Sequence, residues 1–280
     1  MKKYSNYYCT AKDRLVTGEL FSVYFDNERI VAKTKVNDDE DMYRFYKSND
    51  YHSHQLKPKS FIEYVYFLSR KIMMFFKYRI IYSKSKEVNL LDYGCGNGNF
   101  IKYLSNKSLK VTGIEKSLSS QKVCRSKGLS VFSSVKQLGD AKFDVITLWH
   151  VLEHVINPQN CLRTLSDFRS KDGLFIVAVP NIQSADSQVF KEEWAGLDVP
   201  RHLWHFTPKG LISLLKKEKF ILHKKHPLIL DAYYISLLSA KRKKIPFPWA
   251  VSFIIGTASN LMAFFTGNYS SSVYVFKKAG

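Results

Sequence analysis

The 280-residue chain reads as an α/β fold: an open, mostly parallel sheet flanked by helices, preceded by a small β-rich appendage and carrying a helical insertion before its last strand. Three observations carry this reading. From residue 87 onward, short apolar runs alternate with stretches whose apolar residues recur at helical spacing, which is the pattern of repeated βαβ units. The first of those runs ends in a turn with glycine at every second position, Gly94, Gly96 and Gly98, and passes directly into a helical stretch. Residues 272–276 then alternate polar and apolar side chains, as a final strand does.

Residues 1–50 form the appendage. Residues 19–25 and 29–32 flank Asp26, Asn27 and Glu28 as the arms of a hairpin, and the acidic run at residues 38–41 reads as a solvated loop. Residues 51–86 form a helical linker, in which Phe61, Tyr64, Val65, Phe67, Leu68, Ile72, Phe75, Phe76 and Ile80 recur at helical spacing between Arg70, Lys71, Lys77 and Arg79. Residues 87–280 form the main domain. Strands are expected at 88–93, 110–114, 131–132, 143–149, 174–179 and 220–223, with Asp172-Gly173 turning the chain into the fifth. Helices are expected from 100, around Val123 and Cys124, after Asn157-Pro158, and after Thr207-Pro208, the last two each supplying an N-cap and a proline at the first helical position. The insertion spans 229–267. Its two apolar stretches are separated by Lys241, Arg242, Lys243 and Lys244, and the 21 residues 245–265 carry no charge. Prolines and small polar residues dilute that run below a typical membrane span, and a crossing would strand the last strand on the far side, so a helical hairpin is expected.

Composition narrows the function classes. The net charge of +19 is spread evenly, with excesses of +6, +5 and +8 in residues 1–90, 91–180 and 181–280, and 33 of the 43 basic residues are Lys. Dedicated nucleic-acid binding would concentrate that charge and favour Arg for bidentate contacts, so nucleic acid is not the expected partner. Cysteines at 9, 95, 124 and 161 include no CxxC pair, which disfavours a disulfide scaffold or a four-thiolate zinc site. No apolar stretch follows the basic opening residues, so a cytoplasmic protein is expected, with peripheral contact to a membrane through residues 229–267 as a further expectation.

The chemistry concentrates at Leu91-Asp92-Tyr93-Gly94-Cys95-Gly96-Asn97-Gly98. The spacing is GxGxG, not the GxGxxG of a nicotinamide site, and Asp92 puts a carboxylate where a diphosphate would be repelled and a cationic ligand welcomed. Glu115 ends the next strand, where a carboxylate can accept hydrogen bonds from both ribose hydroxyls. Turn and acid together point to S-adenosylmethionine (SAM), with Asp92, Gly94, Cys95, Gly96, Gly98, Glu115, Lys116, Trp149 and His150 as cofactor-binding candidates.

These residues, with Trp149-His150-Val151-Leu152-Glu153-His154-Val155 and Asn157-Pro158, resemble the motifs of class I SAM-dependent methyltransferases. The closer likeness is to methyltransferase family 23 and the ubiquinone-biosynthesis O-methyltransferase-like branch, in which Trp194, Asp198 to Leu203, His205 to Pro208 and residues 266–271 also find counterparts. The resemblance covers residues 87–227 and the last strand. It implies a Rossmann-like seven-stranded sheet, and O-methylation of a glycan, a lipid-linked sugar or a small hydroxylated metabolite. The alternatives are an RNA methyltransferase and a non-catalytic SAM-binding protein. Such relatives often begin with a zinc-ribbon-like unit, but Asn27 and Glu28 stand where a thiolate pair would be, so residues 1–50 read as a degenerate, metal-free version of it.

Methyl transfer needs position and, for a hydroxyl acceptor, a base. His154 is the first candidate and His202 the second, with Trp194, Asp198, Arg201 and His205 as substrate contacts; a structural salt bridge between Asp198 and Arg201 is an equal reading. Some relatives bind a divalent ion through an ExxEH run and a later histidine. His150, Glu153, His154 and His202 occupy the matching places, with His150 where those relatives have Glu, so metal dependence is left open.

Overall fold

A computed structural model describes residues 4–37, 42–46, 61–82 and 88–279. The acidic run at 38–41 and the side chains of Phe61, Tyr64, Val65, Phe67, Leu68 and Arg70 lie outside the described parts.

The chain opens with β1 (Tyr4–Lys12), β2 (Leu20–Asp26) and β3 (Val31–Thr34), an antiparallel meander, followed by α1 (Phe61–Tyr82). The doubly wound part runs β4 (Asn89–Tyr93), α2 (Asn99–Ser105), β5 (Lys110–Ile114), α3 (Leu118–Ser126), β6 (Val131–Phe132), β7 (Phe143–Trp149), α4 (Pro158–Ser166) and β8 (Arg169–Pro180). Then follow α5 (Ala185–Phe190), β9 (Trp204–Phe206), α6 (Pro208–Lys217), β10 (Phe220–Pro227), the hairpin α7 (Ile229–Arg242) and α8 (Pro248–Thr266), and β11 (Ser271–Lys278).

The main sheet has seven strands in the order β10-β11-β8-β7-β4-β5-β6, parallel from β8 to β6 and antiparallel at β11 and β10. Strand alternation divides its core. Phe175, Val177 and Val179 pack with Leu162, Leu165, Leu211 and Leu215 of α4 and α6, whereas Leu174, Ile176 and Ala178 pack with Ile80, Ile81, Phe100 and Leu104 of α1 and α2. Both expected caps form: Asn157 accepts from the Asn160 amide at 3.0 Å, and Thr207 from the Gly210 amide at 3.0 Å.

The fold departs from the sequence reading in three places. Asp172-Gly173 is not a turn before the fifth strand, because β8 already begins at Arg169 and the pair sits at a register shift within it. A side chain at Gly173 would come within 2.8 Å of the Phe143 carbonyl, so the irregularity needs glycine. The N-terminal appendage also takes in a strand from the main domain that the sequence reading had not placed, since β9 completes the meander as a fourth strand, with Ala32 opposite His205. Finally, α5 and β9 carry too few residues for periodicity to reveal them.

Candidate active site

The carboxyl ends of β4, β5, β7 and β8 lie side by side, with β4 at the switch point of the sheet, where doubly wound folds bind their ligands. After β4 the chain turns through Gly94, Gly96 and Gly98, all left-handed with φ of 77°, 54° and 71°. The three have different duties. A side chain at Gly94 would lie 2.5 Å from Val151 and one at Gly98 2.6 Å from Leu129, so these glycines admit protein packing; one at Gly96 would meet nothing within 4 Å and faces open space. The turn is tied to β5. The Gly94 and Cys95 amides donate to the Ile114 carbonyl at 2.8 and 3.1 Å, and the Gly96 and Ser117 amides donate to the two Glu115 oxygens at 2.9 and 2.7 Å. Glu115 thus stands at the strand end, half-buried and held in place, with further lone pairs for a ribose.

Asp92 lies at the floor, buried, accepting the Thr147 hydroxyl at 2.6 Å. Burial pushes its carboxyl up to about 6, against the opposing pull of Thr147 and Lys77. Lys77 is the residue that sequence reasoning missed as a site member. From α1 it sets its ammonium 4.3 Å from the Trp149 ring centre and 5.4 Å from that of Phe100. Burial lowers its pKa, while Asp92 and Asp231 act to raise it. In the sequence it is one of several cations on an amphipathic helix, and spacing alone does not distinguish it.

Asp92 supplies a pH-dependent prediction. A folded-state value raised from 3.8 to about 6 means that the folded chain keeps this proton longer than the unfolded chain does, so the group withdraws stability as pH rises across that window. Two units correspond to about 3 kcal/mol. Asp92→Asn is expected to raise the melting temperature of the ligand-free protein at pH 7. In the native protein, affinity for cationic SAM should fall about tenfold per pH unit below about 6, as the carboxylate is lost, and the Asn variant should bind weakly at every pH. Calorimetric titration from pH 5 to 8 checks both.

The remaining cofactor candidates divide. Cys95 is spent on the fold: its amide is held by the Ile114 carbonyl, and its sulfur is turned into the packing beside Gly113 and Ile101. Lys116 is exposed beyond Glu115. Trp149 packs edge-on against Phe100 and keeps a buried indole N–H without a partner among the described residues. His150 has a left-handed backbone, φ 54°, and lies 3.5 Å from both Glu153 and Asp231. Burial would lower its pKa, but the two carboxylates outweigh this and leave it raised.

Beyond His150 stands a second cluster. Glu153 is buried; neither carboxylate oxygen makes a hydrogen bond of good geometry among the described residues, and its near partner is His150 at 3.5 Å. A donor atom from each of Glu153, His154 and His202 falls within 4.8 Å of the others. His154 Nδ1 lies 3.0 Å from the Arg201 carbonyl and His202 Nδ1 2.9 Å from the Gly196 carbonyl, so each ring donates there and bears its lone pair on Nε2. Burial and the neighbouring His202 bring His154 down to about 4. Its ring is therefore a weak proton acceptor at neutral pH. His202, half-exposed, lines a narrow crevice with Pro180, Ile182 and Trp204 and packs edge-on to His154 at 4.6 Å. Both rings are partly exposed, and of the two it is His202 that lines this crevice. One carboxylate and two imidazoles also suit a first-row divalent ion better than magnesium.

The four expected substrate contacts all have partners within the protein, and for Asp198 and Arg201 the alternative expectation, a structural salt bridge, is the arrangement found. Arg201 is fully buried, and its guanidinium is consumed by Asp198 at 2.9 and 3.0 Å, Asp13 at 3.0 Å and the Phe45 carbonyl at 3.1 Å. Asp198 is in turn shared with Arg242 at 3.5 Å, and although burial opposes ionisation, these guanidinium partners hold it well below the usual carboxylate range. Trp194 is 1% exposed and donates its indole N–H to Asp186 at 2.7 Å. His205 bonds Thr34 at 2.9 Å, and burial lowers it to about 3. These residues pin the N-terminal meander and the 198–205 loop together, which sets His202 in place; Trp194 and His205 show only an edge to the crevice.

A family model described as "Methyltransferase domain" matches residues 58–223. Among curated proteins, the chain is 29% identical over 106 residues to the ubiquinone biosynthesis O-methyltransferase of Glaesserella parasuis serovar 5, covering 33% of this chain and 45% of that protein. It is 28% identical over 173 residues to the protein of the same name from Pelagibacter ubique, covering 56% and 72%. The chain thus spans less than half the length of the first of these relatives. Among solved structures, a SAM-dependent methyltransferase from Thermotoga maritima, described as a possible histamine N-methyltransferase, aligns with a TM-score of 0.50 at 15% identity over 76% of this chain and 93% of its own. That likeness is one of fold.

Proposed function

The chain belongs to the methyltransferase-domain family, its cofactor is S-adenosylmethionine, and from this premise we propose that it methylates an oxygen of a hydroxylated acceptor, a glycan, a lipid-linked sugar or a small metabolite. The observation that carries the reading is the pair of imidazoles whose Nε2 atoms have no hydrogen-bond partner among the described residues, gathered with the Glu153 carboxylate just after β7, the strand beside β4. An amine acceptor needs no such base in its neutral form; a hydroxyl does.

The chain's own groups divide the work. The open space over Gly96 admits the cofactor, Glu115 accepts from its ribose, and the Asp92 carboxylate balances its positive charge. The acceptor oxygen attacks the methyl carbon in line with sulfur, the carbon–sulfur bond breaks with its electron pair passing to sulfur, and the acceptor proton goes to His202 Nε2. His154 and Glu153 orient that ring and stabilise the imidazolium. The clustering of ligand atoms favours one further reading: Glu153 with His154 and His202 would hold a divalent ion, which when bound supplies polarisation of the acceptor hydroxyl. Activity that ignores a chelator removes that reading.

The test is incubation with SAM carrying a carbon-13 methyl group and separate pools of polar lipid, glycolipid, small metabolites and RNA. The label should enter a lipid, glycan or small-molecule pool with the chemical shift of an O-methyl carbon; label on RNA or on nitrogen overturns the proposal.

A further inference from the structure

Helix α8 is built inside out for a surface helix in water. The residues it buries are small, Ser252, Gly256, Ser259 and Ala263, one per turn along a single face. Gly256 lies so close to Tyr233 of α7 that a side chain would come within 2.6 Å of it, and Ser252 donates to the Tyr233 carbonyl at 2.6 Å. The large apolar residues point away. Trp249, Phe253, Ile254, Leu261, Phe264 and Phe265 are each between 62% and 84% exposed. No charged residue occurs on α8, and only 22% of its apolar window is buried. Contiguous apolar surface of this kind marks an interaction site.

The charge around it selects the occupant. Lys241 at the end of α7 and Lys243 and Lys244 in the turn that follows are exposed, close in sequence to the exposed Phe247 and Trp249, which is the pairing of cations and aromatic rings found at a bilayer interface. Arg242 is drawn inward to Asp198. The sole acid in residues 229–267 is Asp231, and it is turned to His150 at 3.5 Å. A second copy of this face would therefore bring cations without acids to meet them, whereas an anionic lipid surface supplies the missing charge. Nor does α8 cross the bilayer. At about 28 Å it is long enough, but its small-residue face is packed on α7 and α5, and five residues after its end β11 is paired inside the central sheet.

We propose that α8 and the Lys241 to Lys244 turn form a monotopic docking surface for an anionic lipid bilayer, the apolar face of α8 lying in the interface plane and the lysines engaging headgroups. The docking pair also reaches the crevice, because Asp231 in the first turn of α7 contacts His150. The inference stands on this surface and is independent of the acceptor's identity.

The experiment is flotation of the full chain with vesicles of equal parts phosphatidylglycerol and phosphatidylcholine, against vesicles of phosphatidylcholine alone. The chain should float with the anionic vesicles, Trp249 fluorescence should be quenched by brominated acyl chains, and quenching should vanish in Trp249→Phe. Joint replacement of Lys241, Lys243 and Lys244 by Gln should reduce partitioning on the order of a hundredfold. Phe253, Phe264 and Phe265 changed together to Ser should also abolish it. Both variants should retain native SAM affinity, which certifies their folding. A chain that stays unbound, that buries Trp249 by self-association in the absence of lipid, or that leaves vesicles only in detergent overturns the proposal, the last two outcomes identifying a second copy or an embedded helix as the true occupant.

Discussion

Arg201→Leu is expected to lower the unfolding free energy by about 3–5 kcal/mol, because it leaves Asp13 and Asp198 buried without their shared cation. The guanidinium contacts two carboxylates and two carbonyls drawn from the chain's start, the turn at Phe45 and its own loop, so its removal detaches the N-terminal meander from the 198–205 loop. Arg201→Lys should recover only part of the loss, since an ammonium cannot reproduce the fork that bonds Asp198 through two nitrogens. Denaturant titration measures both. A loss below about 1 kcal/mol, the scale of an exposed pair, would contradict the network.

His202→Ala should lower turnover by about a hundredfold or more while SAM affinity stays within about twofold, the split expected of a base that touches the acceptor and not the cofactor. His154→Ala should cost less, since that ring works through His202 and, at a value near 4, takes up little proton itself. Steady-state kinetics with calorimetry on the same preparations decide the order. Equal losses of cofactor affinity and turnover would place His202 elsewhere.

What the sequence revealed follows from what is local. The strand-turn-helix at Asp92 to Phe100 and the caps at Asn157 and Thr207 are short-range devices, and each appears where its spacing predicts. The membrane-like run at 245–265 was likewise legible as one arm of a helical hairpin. What failed was partnership across the chain. Trp194, Asp198, Arg201 and His205 look like acceptor contacts when read along the sequence, but their partners are Asp186, Asp13, Phe45 and Thr34, three of them more than a hundred residues away in sequence. Lys77 was hidden for the same reason, since only the folded chain brings α1 across the ring of Trp149. How the two imidazoles are turned was equally hidden, because the carbonyl that holds His154 comes from Arg201, 47 residues further on, and the one that holds His202 from Gly196, 6 residues before it.

The central claim is that the turn after β4 receives S-adenosylmethionine over Gly96. Calorimetric titration of the native chain and of Gly96→Val with SAM tests it most directly. The glycine's φ of 54° makes a valine strained there, and its Cβ would stand in open space, meeting nothing within 4 Å, where the cofactor is placed. The native chain should bind one SAM per chain, and the variant, still folded by circular dichroism, should show no measurable heat; equal affinity in the two would contradict the assignment of the cofactor to this turn.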